Sequence, residues 1–186
     1  IDYDETAVRT ISAWVPGRLE RLFVDYTGIP VAQGDHLVEL YSPELLTAQE
    51  ELLAAKRRLD EGPEKSAFLR ASDQRAVESS RDKLRLYGLT DEQVAEIEER
   101  GTAADRVTLY SPQGGVVIEK SVDQGAVVMT GTRIYRIADL SHLWVKLDAY
   151  EQDLAWLSYG QKVSLRAEAL PGEIFEGVVS FIDPLV

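Results

Sequence analysis

Few residues in this 186-residue chain are of the types that carry out enzyme chemistry. There is no Cys, which excludes disulfides, thiolate catalysis and Cys-based zinc sites. The two imidazoles, His36 and His142, are too few and too far apart in sequence for a histidine-rich zinc site. Carboxylates are abundant, but nothing in their spacing brings a pair beside a histidine or a nucleophile. We therefore predict no catalytic residue, no metal ligand and no cofactor, and a protein that is not an enzyme.

The charge balance excludes a further class of partner. The chain has 20 Lys and Arg against 32 Asp and Glu, a formal charge of −12, whereas a nucleic-acid-binding face must be basic. Gly114-Gly115 precedes a predicted strand and not a helix, so it is not a phosphate-binding loop. No apolar run approaches the roughly 18 residues of a membrane span, and the first residues do not have the pattern of a signal peptide. Nucleic acid is not an expected partner.

An internal repeat is the strongest indication of architecture. Residues 17–40 and 115–137 each contain a glycine, an alternating strand, a Val-Asp pair, two further glycines and a second strand. Glycine-punctuated hairpins are common in all-β domains, but the string Leu-Tyr-Ser-Pro at 40–43 and again at 109–112 favours a true repeat. We predict two units of short strands that close into a flattened sandwich. The glycines predicted to form its turns, where positive φ is least costly, are Gly17, Gly28, Gly34, Gly115, Gly125 and Gly131.

Between the two copies the hydrophobic period changes from two to about 3.6 residues. We predict a first helix over Glu44–Glu61, begun by Ser42-Pro43 and stopped by Gly62-Pro63. Its apolar seam is Leu45, Ala48, Leu52, Ala55 and Leu59. A second helix is expected from Glu64 or Lys65 to about Tyr87. Its weaker seam is Ala67, Ala71, Gln74, Val77, Arg81 and Leu84. The short connection makes the two helices an antiparallel hairpin.

A third, shorter helix is predicted after the hairpin. Thr90-Asp91-Glu92-Gln93 has the capping-box pattern, and Gly101 ends the segment. Beyond the second copy, strands are predicted over His142–Ala149, Lys162–Ala167 and Phe175–Ile182, with a helical turn at 151–157. These strands are too few for a closed barrel, even if a strand over Ala7–Ala13 joins them. We expect the chain to stop within this last domain.

These residues carry a family resemblance. The strings PGRLERLFVDYTGIPVAQGDHLVELYSPELLTAQEELL, LRLYGLTDEQVAEIEERG and YSPQGGVV, followed by an L-S-x-L-W-V segment at 140–145, resemble the periplasmic adaptors, or membrane fusion proteins, of RND-type tripartite efflux pumps. The likeness is closest to the heavy-metal branch of copper and silver efflux adaptors. It covers nearly the whole chain, and the ordered set of blocks is more specific than any single glycine pattern.

The resemblance implies a mixed α and β, elongated, multi-module fold. A lipoyl-like β-sandwich, or barrel-sandwich hybrid, is split by an α-helical hairpin and followed by a partial β-barrel. Residues 1–13 are expected to form N-terminal strands that join the barrel or membrane-proximal part, and residues 14–42 and 107–140 to form the sandwich halves. Residues 43–106 are expected to form the hairpin with its short third helix, and residues 141–186 the incomplete barrel segment.

The resemblance also implies a function in transport. An adaptor of this kind links an inner-membrane RND pump to an outer-membrane channel and self-associates as a hexamer or a trimer of dimers. The expected location is the periplasm, associated with the inner membrane, with the anchor outside this fragment. The residues expected at the partner-docking hairpin tip are Arg58, Leu59, Asp60, Glu61, Gly62, Pro63, Glu64 and Lys65.

The chain departs from the family in two respects. The adaptors of the copper branch take up metal with methionines in an N-terminal segment, and the single Met129 lies in the second sandwich half, so no metal ligand is carried over. Adaptors that meet the channel often show Arg-x3-Leu-x6-Ser. Here Leu59 and Ser66 keep the second interval, but Ala55 stands at the arginine position. We interpret that partial match as chance.

Two alternatives remain open. The first is a lipoyl or biotinyl carrier domain modified on a lysine, but the helical insertion occupies the place of the carrier lysine and leaves Lys120 as a solvent-facing strand residue. The second is an adaptor of an ATP-driven or type I exporter.

Overall fold

The computed structural model describes residues 1–61, 66–166 and 172–182, and the chain divides into two compact units, Ile1–Trp144 and Val145–Val186. The α-helices are α1 (Pro43–Asp60), α2 (Ala67–Leu86) and α3 (Asp91–Arg100). The strands are β1 (Asp2–Tyr3), β2 (Val8–Ser12), β3 (Gly17–Leu22), β4 (Pro30–Val31), β5 (His36–Tyr41), β6 (Arg106–Tyr110), β7 (Gly115–Lys120), β8 (Val127–Val128), β9 (Arg133–Ala138), β10 (Leu143–Trp144), β11 (Lys162–Leu165) and β12 (Phe175–Val178).

Two antiparallel four-stranded sheets form the sandwich of the first unit. Sheet I has the order β2-β9-β7-β4, and sheet II has the order β6-β5-β3-β8. The short strands exchange between the sheets, since β4 of the first copy pairs with β7 and β8 of the second copy pairs with β3. Both sheets contribute fully buried residues to the core between them. They include Leu19, Leu37, Val117, Tyr135 and Ile137.

Matching hydrogen bonds confirm the repeat. Gly28 N–H donates to the Val117 carbonyl at 2.8 Å, and the equivalent Gly125 N–H donates to the Leu19 carbonyl at 2.7 Å. The two copies are offset by 98 residues at Gly17 and by 97 at Gly28, so the one-residue slip lies in the loop between them. The halves are therefore related by an internal pseudo-twofold operation, and each residue of one sheet has an equivalent in the other.

The six predicted turn glycines fall into two groups. Gly28, Gly34, Gly125 and Gly131 have φ between 84 and 87° in turns. The turn prediction is wrong for Gly17 and Gly115, which begin β3 and β7. At Gly17 a Cβ would collide with the Tyr41 carbonyl oxygen, and at Gly115 it would lie 2.5 Å from the Ala138 carbonyl oxygen. These two glycines permit close approach of neighbouring strands.

The helical segment lies between β5 and β6. Ser42 caps α1, as predicted, because its hydroxyl oxygen accepts a hydrogen bond from the Leu45 N–H. Thr90 and Gln93 form the complete capping box of α3, also as predicted. The second helix begins later than predicted, after the cap Ser66, and Gly62-Pro63 lies outside the described residues.

The predicted apolar seam is buried in α1 but mostly exposed in α2. In α1, Leu45, Ala48, Leu52 and Ala55 are buried and Leu59 is partly buried against the core. In α2 only Val77 and Leu84 are buried. The remaining predicted seam residues of α2 are exposed or partly exposed: Ala67, Ala71, Gln74 and Arg81.

The N-terminal strand corrects a domain assignment. The prediction that residues 1–13 join the barrel is wrong for β2, which pairs with β9 over Val8↔Ala138 to Ser12↔Arg133 and so completes sheet I. In sheet I, β2 lies beside β9 in the same way that β6 lies beside β5 in sheet II. β1 instead pairs with β10. The remaining domain boundaries stay predictions.

The second unit has shorter strands than predicted. β11 and β12 form an antiparallel pair, and a 3-10 helix spans Glu151–Trp156. The strand predicted over His142–Ala149 ends at Trp144, because Val145–Tyr150 pair with no described strand. Within the described part of the chain, no helix has the length and apolar character needed to traverse a bilayer.

Candidate partner-binding surfaces

A buried amide fixes the hairpin to the rest of the first unit. Gln49 of α1 is fully buried, and its Nε2 donates to the carbonyls of Leu45 at 3.1 Å and Ala104 at 2.9 Å. Its Oε1 accepts from the Ala104 N–H at 3.0 Å. One side chain thus satisfies both backbone groups of a residue 55 positions away, two residues before the start of β6. This contact holds the base of α1 in register with the sandwich.

An ionic network joins the hairpin to α3. Arg81 of α2 donates from Nε to Glu98 Oε1 at 2.6 Å and from a terminal nitrogen to Oε2 at 3.0 Å. Lys56 of α1 donates to the Glu98 backbone carbonyl at 3.2 Å, and its Nζ lies 3.5 Å from the Glu98 carboxylate. The hydrogen bonds from Arg81 hold the pKa of Glu98 below its ordinary value and raise that of Arg81. Glu98 therefore ties three helices together.

The predicted docking tip is only partly described. Arg58, Leu59, Asp60 and Glu61 end α1, whereas Gly62, Pro63, Glu64 and Lys65 lie outside the described residues. Arg58, Asp60 and Glu61 are exposed, but Leu59 packs against the buried core. The docking role of this tip stays a prediction.

Two exposed apolar residues beside the tip were missed by the sequence analysis. Phe68 and Leu69, in the first turn of α2, have exposed fractions of 75% and 52%. The assumed seam placed Ala67 and Ala71 toward α1, and both are exposed. The available signal was the adjacent pair Phe-Leu, because consecutive residues on a helix point about 100° apart and a narrow seam holds only one of them at its centre.

The two histidines occupy different settings. His36 lies between Phe23 and Tyr110, with ring centroids 5.4 and 5.0 Å apart, on the outer side of sheet II. His142 Nδ1 lies 3.0 Å from Ser141 Oγ. Among residues 1–61, 66–166 and 172–182, no group of three or more His, Cys, Asp and Glu side chains is placed to hold a metal ion.

Lys120 is held in ion pairs. Its Nζ lies 2.9 Å from Asp123 and 3.4 Å from Asp25, one aspartate from each copy of the repeat. The hydrogen bond to Asp123 raises the pKa of Lys120 above its ordinary value. The amine therefore stays protonated and joins the two Val-Asp pairs.

Known protein families match this arrangement of a split sandwich and a following segment. A family model of the CusB barrel-sandwich hybrid domain matches residues 8–138, so it includes both copies of the repeat and the helical segment between them. The chain belongs to the CusB family. A model of the CusB-like β-barrel domain matches residues 142–186. The fold class predicted from the sequence, a sandwich split by helices and followed by a barrel segment, is confirmed.

Individual relatives of this CusB-family chain have low sequence identity to it. It is 24% identical over 179 residues to the cobalt-zinc-cadmium resistance protein CzcB of Cupriavidus metallidurans, covering 86% of this chain and 33% of that protein. It spans 22%, 25% and 33% of the first three curated relatives that it matches.

Two solved structures share the fold. ZneB from Cupriavidus metallidurans matches with a TM-score of 0.58 at 20% identity, over 97% of this chain and 80% of that one. A MacA-MexA chimera carrying the Pseudomonas aeruginosa MexA α-hairpin matches with a TM-score of 0.59 at 22% identity, over 98% of this chain and 66% of that one.

Proposed function

We propose that this chain is the central part of a non-enzymatic periplasmic adaptor that links an inner-membrane RND exporter to an outer-membrane channel for efflux of heavy-metal cations such as copper or silver. The observation that carries the proposal is the helical hairpin inserted between β5 and β6 of a CusB-family sandwich. Gln49 and the Arg81–Glu98 pair hold this hairpin in a defined direction, which an element that reaches a partner requires.

The metal-cation substrate is supported by relatives. CzcB is a cobalt-zinc-cadmium resistance protein, and it aligns over 86% of this chain. We propose that the metal passes through the assembled pump and is not retained by a site on the residues described here. Self-association, as a hexamer or a trimer of dimers, would surround the exported ion.

The docking face proposed for the channel is the exposed end of the hairpin. A Leu59→Asp change is a poor test, because Leu59 contacts the core and the hairpin itself would be disturbed. Phe68→Asp is better, because Phe68 is 75% exposed. Leu86→Asp is its matched control, since Leu86 is 74% exposed on the same helix near the sandwich.

The test uses the full-length protein in a host that lacks its own copy. Growth is measured across copper, silver, cobalt, zinc and cadmium, together with co-purification of the outer-membrane channel. We expect Phe68→Asp to lower both resistance and co-purification, and Leu86→Asp to preserve them. If both variants behave as wild type, the docking face is wrong. If the wild-type gene gives no resistance to any of these cations, the metal-efflux proposal is wrong.

A further inference from the structure

A row of rings lies on the outer side of sheet II. We use the name aromatic row for Phe23, His36 and Tyr110, whose neighbouring centroids are 5.4 and 5.0 Å apart. The Arg21 guanidinium lies 4.7 Å from the Phe23 centroid, which completes the row at one end. Phe23 is 39% exposed and His36 is also exposed, so the row faces away from the sandwich core.

The repeat shows whether the fold needs these rings. Phe23 N–H donates to the Leu37 carbonyl at 3.0 Å, and Ser121 N–H donates to the Ile134 carbonyl at 2.9 Å, so Ser121 is the equivalent of Phe23. Sheet I therefore keeps the same backbone hydrogen bond with a serine at this position.

The other two positions of the row are matched by strand register. His36 pairs with Tyr110 at the end of β5 and β6, and Arg133 pairs with Ser12 at the same place in β9 and β2. The fold thus accommodates Ser, Arg and Ser where sheet II has Phe, His and Tyr. Because this hydrogen bond and this strand register are kept with or without rings, folding alone does not account for the aromatic row.

A neighbouring charged pair is reversed between the two outer faces. Arg21 lies opposite Glu39 in sheet II, whereas Glu119 lies opposite Arg136 at the equivalent positions of sheet I. We call Arg133, Arg136 and Glu119 the arginine face. Arg133 lies 3.5 Å from Glu119 but keeps an exposed side-chain fraction of 53%. A guanidinium of this kind stacks well on aromatic rings, as Arg21 does within the chain.

We infer that the aromatic row of one copy docks on the arginine face of a second copy, with Arg133 over the rings. The outer faces of two sheets in a sandwich point in opposite directions, so a contact between unlike faces is heterologous and passes from copy to copy. Such a contact closes into a ring when the rotation per copy permits it. This inference rests on the proposed function, since it names the surfaces through which the adaptor self-associates.

The absence of cysteine makes cross-linking a clean test. Thr108→Cys introduces a thiol on sheet II beside the row, and Thr10→Cys introduces one at the equivalent position of sheet I. The two purified variants of the 186-residue chain are treated with a short bis-maleimide at high protein concentration, separately and mixed. We expect cross-linked dimers in the mixture and few in either variant alone. Dimers of Thr108→Cys alone would indicate a like-to-like contact, and monomers in every sample would also overturn the inference.

A substitution taken from the repeat, Phe23→Ser, and a truncation on the arginine face, Arg133→Ser, provide the second arm. Phe23→Ser and Arg133→Ser, each in the Cys background of its own face, should lower the cross-linked fraction by about tenfold, which corresponds to about 1.4 kcal/mol of contact energy. The matched controls are Tyr26→Ser, an aromatic 69% exposed outside the row, and Arg100→Ser on α3. Equal losses in the controls would overturn the assignment. Failure of the metal-resistance assay with cross-linking intact would count against the proposed function alone.

Discussion

The contact between Gln49 and Ala104 allows a quantitative test of how the hairpin is held. Gln49→Met keeps the length and apolar body of the side chain but removes both its hydrogen bonds to Ala104, at 2.9 and 3.0 Å. A buried polar group left without a partner costs about 1–3 kcal/mol. Because Ala104 is only half-buried, water replaces part of the loss. We expect the free energy of unfolding to fall by about 2–3 kcal/mol.

The assay is urea unfolding followed by circular dichroism at 222 nm, which reports on the helices. Gln74→Met is the matched control, because Gln74 is exposed on α2 and the same change there should cost under about 0.5 kcal/mol. If Gln49→Met unfolds with the same midpoint and slope as wild type, the contact does not hold the hairpin and the reasoning is refuted.

A second substitution at this position adds a pH signature. Glu in place of Gln49 loses the amide donor, and burial raises the pKa of a carboxyl in such a place. The charged form is therefore disfavoured in the folded protein, so Gln49→Glu should be less stable than Gln49→Met at pH 7. As the pH falls through the raised pKa, the protonated acid can again donate to Ala104, and stability relative to Gln49→Met should recover. A difference independent of pH would contradict a buried position for this side chain.

Three further outcomes are expected, each measured as the free energy of unfolding. The hydrogen bonds from Arg81 lower the pKa of Glu98 in the folded protein. The stability that the Glu98 carboxylate contributes is therefore complete above its unfolded-state pKa of about 4.3 and is lost as the pH falls through the lower folded value. Glu98→Gln should remove this pH dependence of stability, and an unchanged pH profile would count against the ion pair. Tyr135→Phe should cost about 1–2 kcal/mol, because the phenol donates to the Val24 carbonyl at 2.6 Å inside the core; no loss would show that the bond is not needed. Gly17→Ala should cost about 1–3 kcal/mol, because the methyl group meets the Tyr41 carbonyl, and a neutral effect would mean that β3 and β5 can separate there.

The helices and their ends were largely predictable. Ser42 and Thr90 cap through bonds to residues three positions on, so the whole interaction is contained within a short stretch of sequence. The start of α2 was misplaced because several polar residues near Glu64 could begin it, whereas Ser66 provides the cap.

The candidate surfaces were predictable only in outline. The position of the hairpin tip is predictable, because two segments of helical periodicity are separated by a short break in the sequence. The exposure of Phe68 is not, because it depends on how far α1 extends beside α2. The aromatic row joins Phe23, which directly follows β3, to His36 of β5 and Tyr110 of β6. Nothing in their sequence spacing indicates contact, because strand register decides it.

By itself the sequence determined the local elements and the repeat, since both depend on residue types at short, regular intervals. Only the tertiary structure decided that β4 and β8 exchange between the sheets and that Val8–Ser12 completes sheet I. The physical reason is that strand pairing satisfies backbone groups between segments that lie 84 to 130 residues apart in these three pairings. Any suitably alternating strand can supply those groups. The same reason makes the aromatic row and the arginine face visible only after the two halves are placed in register.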